Sequence, residues 1–206
     1  MARSRGSTRP GMLDGAAALR CLASPVRQEI VDTLESLGGE ASVALLAEAL
    51  GKPADGLYYH LRQLTRAGVI EELAGTGQGQ GRRYRSAAGA GARVHLRYPA
   101  AGPSREVQAL DQVAGSLLRI ARRDFAAALA RPDTVTGGPA RELWIARSKG
   151  WVSPAALTEV NRLLARLGEL LNCRPDARRT RLVALAWVLA PIAASPVRRR
   201  RERQPG

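Results

Sequence analysis

Apolar residues recur at helical spacing through the first part of the chain, and the spacing then shortens to that of strands. Leu13 to Leu22 is an Ala/Leu segment that predicts a short first helix. Ser24-Pro25 is a start signal, because serine caps free N–H groups and proline suits the first helical position. Val26, Ile30, Val31 and Leu34 follow on one face, and Gly38-Gly39 ends the segment. A second start at Ser42 leads into Val43, Leu46, Ala47 and Leu50, with Gly51 as the stop. After a turn of a few residues, a third helix is expected from near Pro53–Asp55 to Ala67-Gly68. Two helices joined by so short a turn, with glycine at the corner, form a helix-turn-helix pattern. Beyond Gly68, residues 69–73 read as a strand, Gly75–Gly81 as a flexible loop and Arg82–Arg85 as a returning strand. A hairpin with a glycine-rich, arginine-flanked tip directly after a helix-turn-helix has the form of a wing.

The second half follows a small-residue linker at Ala87–Arg93. Val94–Tyr98 has strand-like alternation, and Ser104 opens a long helix to about Ala130 with Val107, Leu110, Val113, Ala114, Leu117, Ala121 and Phe125 on one stripe. Such a helix spans about 39 Å, longer than one small winged domain covers, so part of its stripe is expected to pack on a partner subunit. Leu143-Trp144-Ile145 predicts a strand, Ser153-Pro154 starts an amphipathic helix with Leu157, Val160, Leu164, Leu167 and Leu171, and Leu182–Leu189 predicts a final buried strand. The expected fold is mainly α with a small β-hairpin: an N-terminal winged helix-turn-helix and a C-terminal α+β dimerisation or effector region. The corresponding bounds are a disordered arm at 1–12, the winged domain at 13–87, the dimerisation and signal-sensing region at 94–194 and a basic disordered tail at 195–206. Trp144, Trp151 and Trp187 are expected to be core anchors in a region poor in aromatics. Lining a pocket for a small-molecule effector is the alternative.

Composition sharpens this picture only in part. Of 206 residues, 45% are hydrophobic, enough to bury a core, and the net charge is +14. Half of that excess lies in residues 173–206, which carry nine basic and two acidic side chains. The run Arg198–Arg201 with Arg203 is either a solvated end or an arm that touches DNA. A bias to Arg, Ala and Gly also arises in a GC-rich genome, so charge alone is a weak clue. It does support a second reading, a non-specific nucleic-acid or nucleoid-binding protein driven by its arginines. A third reading makes the winged domain a protein-interaction module.

Cys21 and Cys173 stand far apart, which suits a reducing cytoplasm and argues against a disulfide scaffold, although a redox link between the two remains open. The N-terminus shows no apolar signal region, and the longest apolar run, Leu182–Ala194, has 13 residues where a membrane span needs about 20. A soluble cytoplasmic protein without membrane association is expected. No nucleophile elbow is visible, and Gly75–Gly81 leads into a strand, so it lacks the helix N-terminus of a phosphate cradle. Neither an enzymatic activity nor a cofactor is expected.

On the third helix, advancing 100° per residue puts Leu61 and Leu64 within about 40° of Leu57, an apolar seam toward the core. Asp55, Tyr58, Tyr59, Arg62 and Arg66 fall on the other side. Arginine can donate two hydrogen bonds to guanine, and tyrosine can reach phosphate or pack on a thymine methyl. An ordinary surface helix also carries such residues; the short turn before it and the basic hairpin after it favour groove insertion. Arg82 and Arg83 of the hairpin are the expected phosphate contacts. His60, about 60° from the seam, is expected to be structural or to touch phosphate, and not to bind metal.

Leu22-Ala23-Ser24-Pro25-Val26-Arg27 with Ile30 and Leu34, then Tyr58–Leu64 and Ala67-Gly68-Val69-Ile70, resemble the opening, recognition helix and first wing strand of ArsR-like winged helix regulators. Gly81-Arg82-Arg83-Tyr84 fits the end of their wing. The resemblance covers about residues 13–87 and implies a homodimer on an inverted-repeat operator in double-stranded DNA, usually a repressor released by a signal. Metal-sensing members carry a Cys-x-Cys-like motif in the helix before the recognition helix. Here that stretch is Val43–Glu48, without a thiol, so a non-metal-sensing type is expected.

Overall fold

The helices of the first half form where their capping residues put them. The computed structural model describes residues 12–13, 15–73, 81–89, 94–99, 102–171, 176 and 178–193. The expected arm at 1–11, the wing tip at 75–80, Cys173 and the arginine tail lie outside the described residues. Helix α1 spans Ala16–Leu22 and α2 spans Pro25–Ser36. Ser24 is the N-cap of α2, but its hydroxyl makes no capping bond; its carbonyl accepts from Gln28 at 2.9 Å. Proline at the first position has no N–H, so one of the four free donors of the first turn is absent. Strand β2 (Glu40–Ser42) leads directly into α3 (Val43–Leu50), where the Ser42 hydroxyl accepts from the Leu45 N–H at 3.2 Å. Gly51 ends α3 in the left-handed region at φ 61°, where a side chain would strain the backbone. Helix α4 then spans Ala54–Arg66.

Three strands form one antiparallel sheet in the order β2-β4-β3, with β3 at Ile70–Leu73 and β4 at Arg83–Ser86. The register pairs Ala41 with Tyr84 and Glu72 with Tyr84 across the central strand. The hairpin was legible in the sequence; β2 was not, because three residues are too few to show alternation. A further pair, β1 (Met12–Leu13) and β5 (His95–Leu96), runs parallel and ties the residues before α1 to those after the wing. Met12 therefore sits in a strand and not in the expected arm. The Val94 N–H donates to the buried Glu35 carboxylate at 2.7 Å, which anchors this return to α2.

One apolar core joins these elements. Leu22, Ile30, Leu34, Leu46, Leu61 and Ile70 are almost fully buried within it, and Tyr84 of the central strand closes it from the sheet side. Each such leucine contributes about 1.5–3 kcal/mol relative to exposure. Helix α5 (Arg105–Leu129), capped by the Ser104 hydroxyl, lies across α1 and α2. It buries Ala109, Val113 and Ser116 there, small side chains that let the backbones approach. Arg123 of α5 pairs with Glu29 of α2 at 2.7 Å.

The C-terminal expectations need correction. Helix α6 (Pro154–Leu171) forms as predicted, yet none of its residues is buried. Leu143–Ile145 and Leu182–Leu189 have no regular structure, and among the described residues after 130 the sole β pairing is the isolated bridge between Asp176 and Arg179. Trp144, Trp151 and Trp187 are 63%, 83% and 39% exposed, so they do not anchor a core within one chain. A strand needs a neighbouring edge to satisfy its backbone, and among the described residues none pairs with these segments. Arg181, just before the second segment, bridges Asp133 and Glu142, the latter just before the first, at 2.9 and 2.6 Å.

Leu61→Ala should cost about 2–5 kcal/mol of unfolding free energy, since it empties the centre of the core. A urea titration followed by circular dichroism measures it.

Candidate nucleic-acid interface

The outward face of α4 is set by what its inward face does. Leu57, Leu61 and Leu64 are buried to 1% exposure or less, so the helix cannot rotate without exposing three leucines. Asp55, Tyr59, Arg62 and Arg66 are all exposed on the far side. Tyr59 is 56% exposed, a large apolar ring left facing water. The turn Gly51–Pro53 separates α3 from α4 and places the start of α4 at the surface.

Tyr58 differs from the sequence expectation. It is half-buried, packs against the core, and has the Arg82 guanidinium 6.0 Å from its ring centroid. At about 100° from the seam it straddles the boundary between the two faces, so it joins α4 to the wing and does not stand free with Tyr59. The wing arginines are also less alike than their sequence suggests. Arg83 donates through Nε and Nη2 to Glu40 Oε1 at 3.1 and 2.9 Å. Arg82 is the more exposed of the two, yet it has a 3.5 Å ion pair to Glu72 and a side-chain hydrogen bond with Tyr84. Arg85, next along β4, pairs with Glu71 at 2.8 Å. Such exposed pairs are weak and exchangeable, worth about 0–1 kcal/mol. Of the three, Arg82 has the most exposed side chain.

Sequence reasoning missed a second basic group beside the helix-turn-helix. The positive charges of Arg27 and Lys52 both act on His60, although they come from α2 and from the turn before α4. Burial comes first among the causes that lower the His60 pKa, followed by the repulsion of Arg27 and Lys52. Its Nδ1 is buried without a hydrogen-bond partner, and its ring meets Tyr59 edge-on with centroids 5.3 Å apart. Arg27 donates to the backbone carbonyls of Cys21 and Arg20, which fixes it at the junction of α1 and α2. Nothing in the spacing of Arg27, Lys52 and His60 announces that the two charges act on the histidine; only the fold brings them near enough. The neighbouring Cys21 is buried, and burial pushes its thiol pKa up. It is therefore poorly reactive as a thiolate.

Among the described residues, no group of three or more His, Cys, Asp or Glu is placed to hold a metal ion. No helix there is long and apolar enough to cross a membrane.

The folded chain favours neutral His60, so below about pH 6.5 the unfolded chain binds more protons. That contribution to stability is intact above this pH and is lost as the pH falls through the lower folded-state value. The melting temperature should drop between pH 7 and pH 5, and His60→Gln should flatten the drop. An unchanged slope in the variant would remove His60 from the account.

The comparisons agree with this geometry over the same residues. No curated protein matches the chain. A family model described as a helix-turn-helix domain matches residues 22–72, from the end of α1 into β3. Residues 22–72 are thus similar to a helix-turn-helix domain, a kind of unit that suggests a DNA-binding regulator.

Proposed function

We propose that the protein is a sequence-specific transcriptional regulator of the ArsR-like winged type, a homodimeric cytoplasmic repressor that reads an inverted-repeat operator through α4. The observation that carries this reading is the division of α4 into a sealed leucine seam and an exposed face of Asp55, Tyr59, Arg62 and Arg66. A helix held so rigidly on one side can place its opposite side in a major groove. In this reading Arg62 reads a base, Tyr59 packs on base methyls or the backbone, and Arg66 and Asp55 set register. Arg82 supplies phosphate attraction from the wing, with Tyr58 holding it in place. Arg83 adds to it when its pair with Glu40 exchanges for phosphate. Arg27 and Lys52 add a phosphate contact at the start of the helix-turn-helix.

Support for two copies comes from the second half. Most of the exposed large apolar side chains lie after residue 130, including Trp144, Trp151 and Leu182. Monomeric proteins rarely leave so much apolar surface to water. Docking of two copies would bring two α4 helices to successive major-groove faces. A small-molecule effector acting on this region would release the operator.

Fluorescence anisotropy with duplexes from the region upstream of its own gene tests the reading. Arg62→Ala should relax base preference at one position, a loss of about 1–3 kcal/mol of discrimination. Arg82→Ala should weaken binding to all duplexes alike and reduce the salt slope by about one. Binding that is equally tight to every duplex, and that collapses when residues 197–206 are deleted, would favour the charge-driven alternative.

A further inference from the structure

Helix α6 carries an apolar repeat, and among the described residues none of its side chains is buried. Leu157, Val160, Leu164, Leu167 and Leu171 alternate steps of three and four, the a and d positions of a heptad pattern. Leu163 and Leu170 widen this stripe, and all seven fall within an arc of about 140° on a helical projection. The four charged residues, Glu159, Arg162, Arg166 and Glu169, fall within an arc of about 80° on the other side. Those charges also pair along the helix, Arg162 with Glu159 at 2.6 Å and Arg166 with Glu169 at 3.0 Å. No residue of α6 is buried, and Leu163 and Leu170 are 49% and 58% exposed.

We infer that this face of α6 is the seam along which a second copy of the chain docks, helix against helix. The inference rests on the homodimeric reading above and assigns that dimer's contact to one element. Three observations select a second copy as the occupant. A contact about a twofold axis must be self-complementary, because each residue near the axis meets its own copy. An uncharged heptad stripe satisfies this in either helix direction, whereas a charge there would meet its like. The helix charges also cancel in pairs on the far side, so the element has no net charge with which to recruit DNA or an acidic peptide. Finally, the stripe is flanked on one side by Asn161, Ala165 and Gly168 and on the other by Glu159 and Arg166, each in an ion pair along the helix, unlike the lysine- and arginine-rich face of a helix that lies on a lipid surface.

The area is consistent with this partner. Covering the seven side chains on both copies removes on the order of 1,000 Å², near the lower edge of what stable interfaces bury. Trp151, three residues before the helix, is 83% exposed and leaves further apolar area close in the chain to this seam. Helix α5, by contrast, already spends Ala109, Val113 and Ser116 on α1 and α2 of its own chain.

Sedimentation velocity on the full chain, with and without operator-length duplex, tests the inference. The protein should sediment as a dimer at micromolar concentration. Leu164→Glu with Leu167→Glu should weaken the dimer at least 100-fold while the thermal melt of the helix-turn-helix core stays unchanged. Single cysteines provide a second arm that does not depend on the glutamates being tolerated. In a chain with Cys21→Ala and Cys173→Ala, Val160→Cys, Leu164→Cys or Leu167→Cys should form interchain disulfides, and Arg162→Cys and Glu169→Cys should not. A double-glutamate chain that dimerises as tightly as the parent, with no crosslink from the seam cysteines, overturns the assignment to α6 and leaves the homodimer standing. A parent chain that stays monomeric alone and on DNA overturns both.

Discussion

The packing of Leu57, Leu61 and Leu64 into a common core is the constraint on which the rest of the first half depends. Burying these three side chains, each at 1% exposure or below, fixes the rotation of α4 about its axis. Once that rotation is fixed, the directions of Asp55, Tyr59, Arg62 and Arg66 follow from helix geometry alone. The same core receives Leu46 from α3, Ile30 and Leu34 from α2 and Tyr84 from the sheet. The helix that faces outward and the hairpin beside it are therefore held by one set of contacts. Loss of any large member loosens both.

Charge is distributed around this frame more selectively than the net +14 suggests. On the wing, Arg83 and Arg85 face carboxylates of neighbouring strands, and Arg82 leans over Tyr58. At the other end of the helix-turn-helix, Arg27 and Lys52 converge on His60, whose proton they help to expel. A polyanion lying across α4 would meet Arg82 at one end and Arg27 and Lys52 at the other. It would also compete with Glu40, Glu71 and Glu72 for the wing arginines they pair with.

The seam, the caps at Ser42 and Gly51 and the hairpin at β3 and β4 could all be read from local patterns, because each is specified within a few residues. What could not be read depends on contacts between distant residues. Strand β2 exists because Ala41 faces Tyr84 across 43 positions of chain, and β1 because Met12 meets His95. Tyr58 was placed with Tyr59 because both lie off the seam; packing against the wing separates them. The second half went wrong for a related reason. Leu143–Ile145 and Leu182–Leu189 have the residues of strands, but composition does not provide an edge to pair with. Their side chains remain exposed in a single chain. Helix α6 was legible because its period is internal to the helix, and the exposure of its apolar face was not.

The central claim is that the outward face of α4 reads a DNA sequence. Selection of bound duplexes from a random library by the full chain, followed by sequencing, tests it most directly. The account predicts enrichment of an inverted repeat whose half-site centres lie about one helical turn, or a whole number of turns, apart. Recovery of duplexes with no shared motif, at salt concentrations where binding persists, would contradict it.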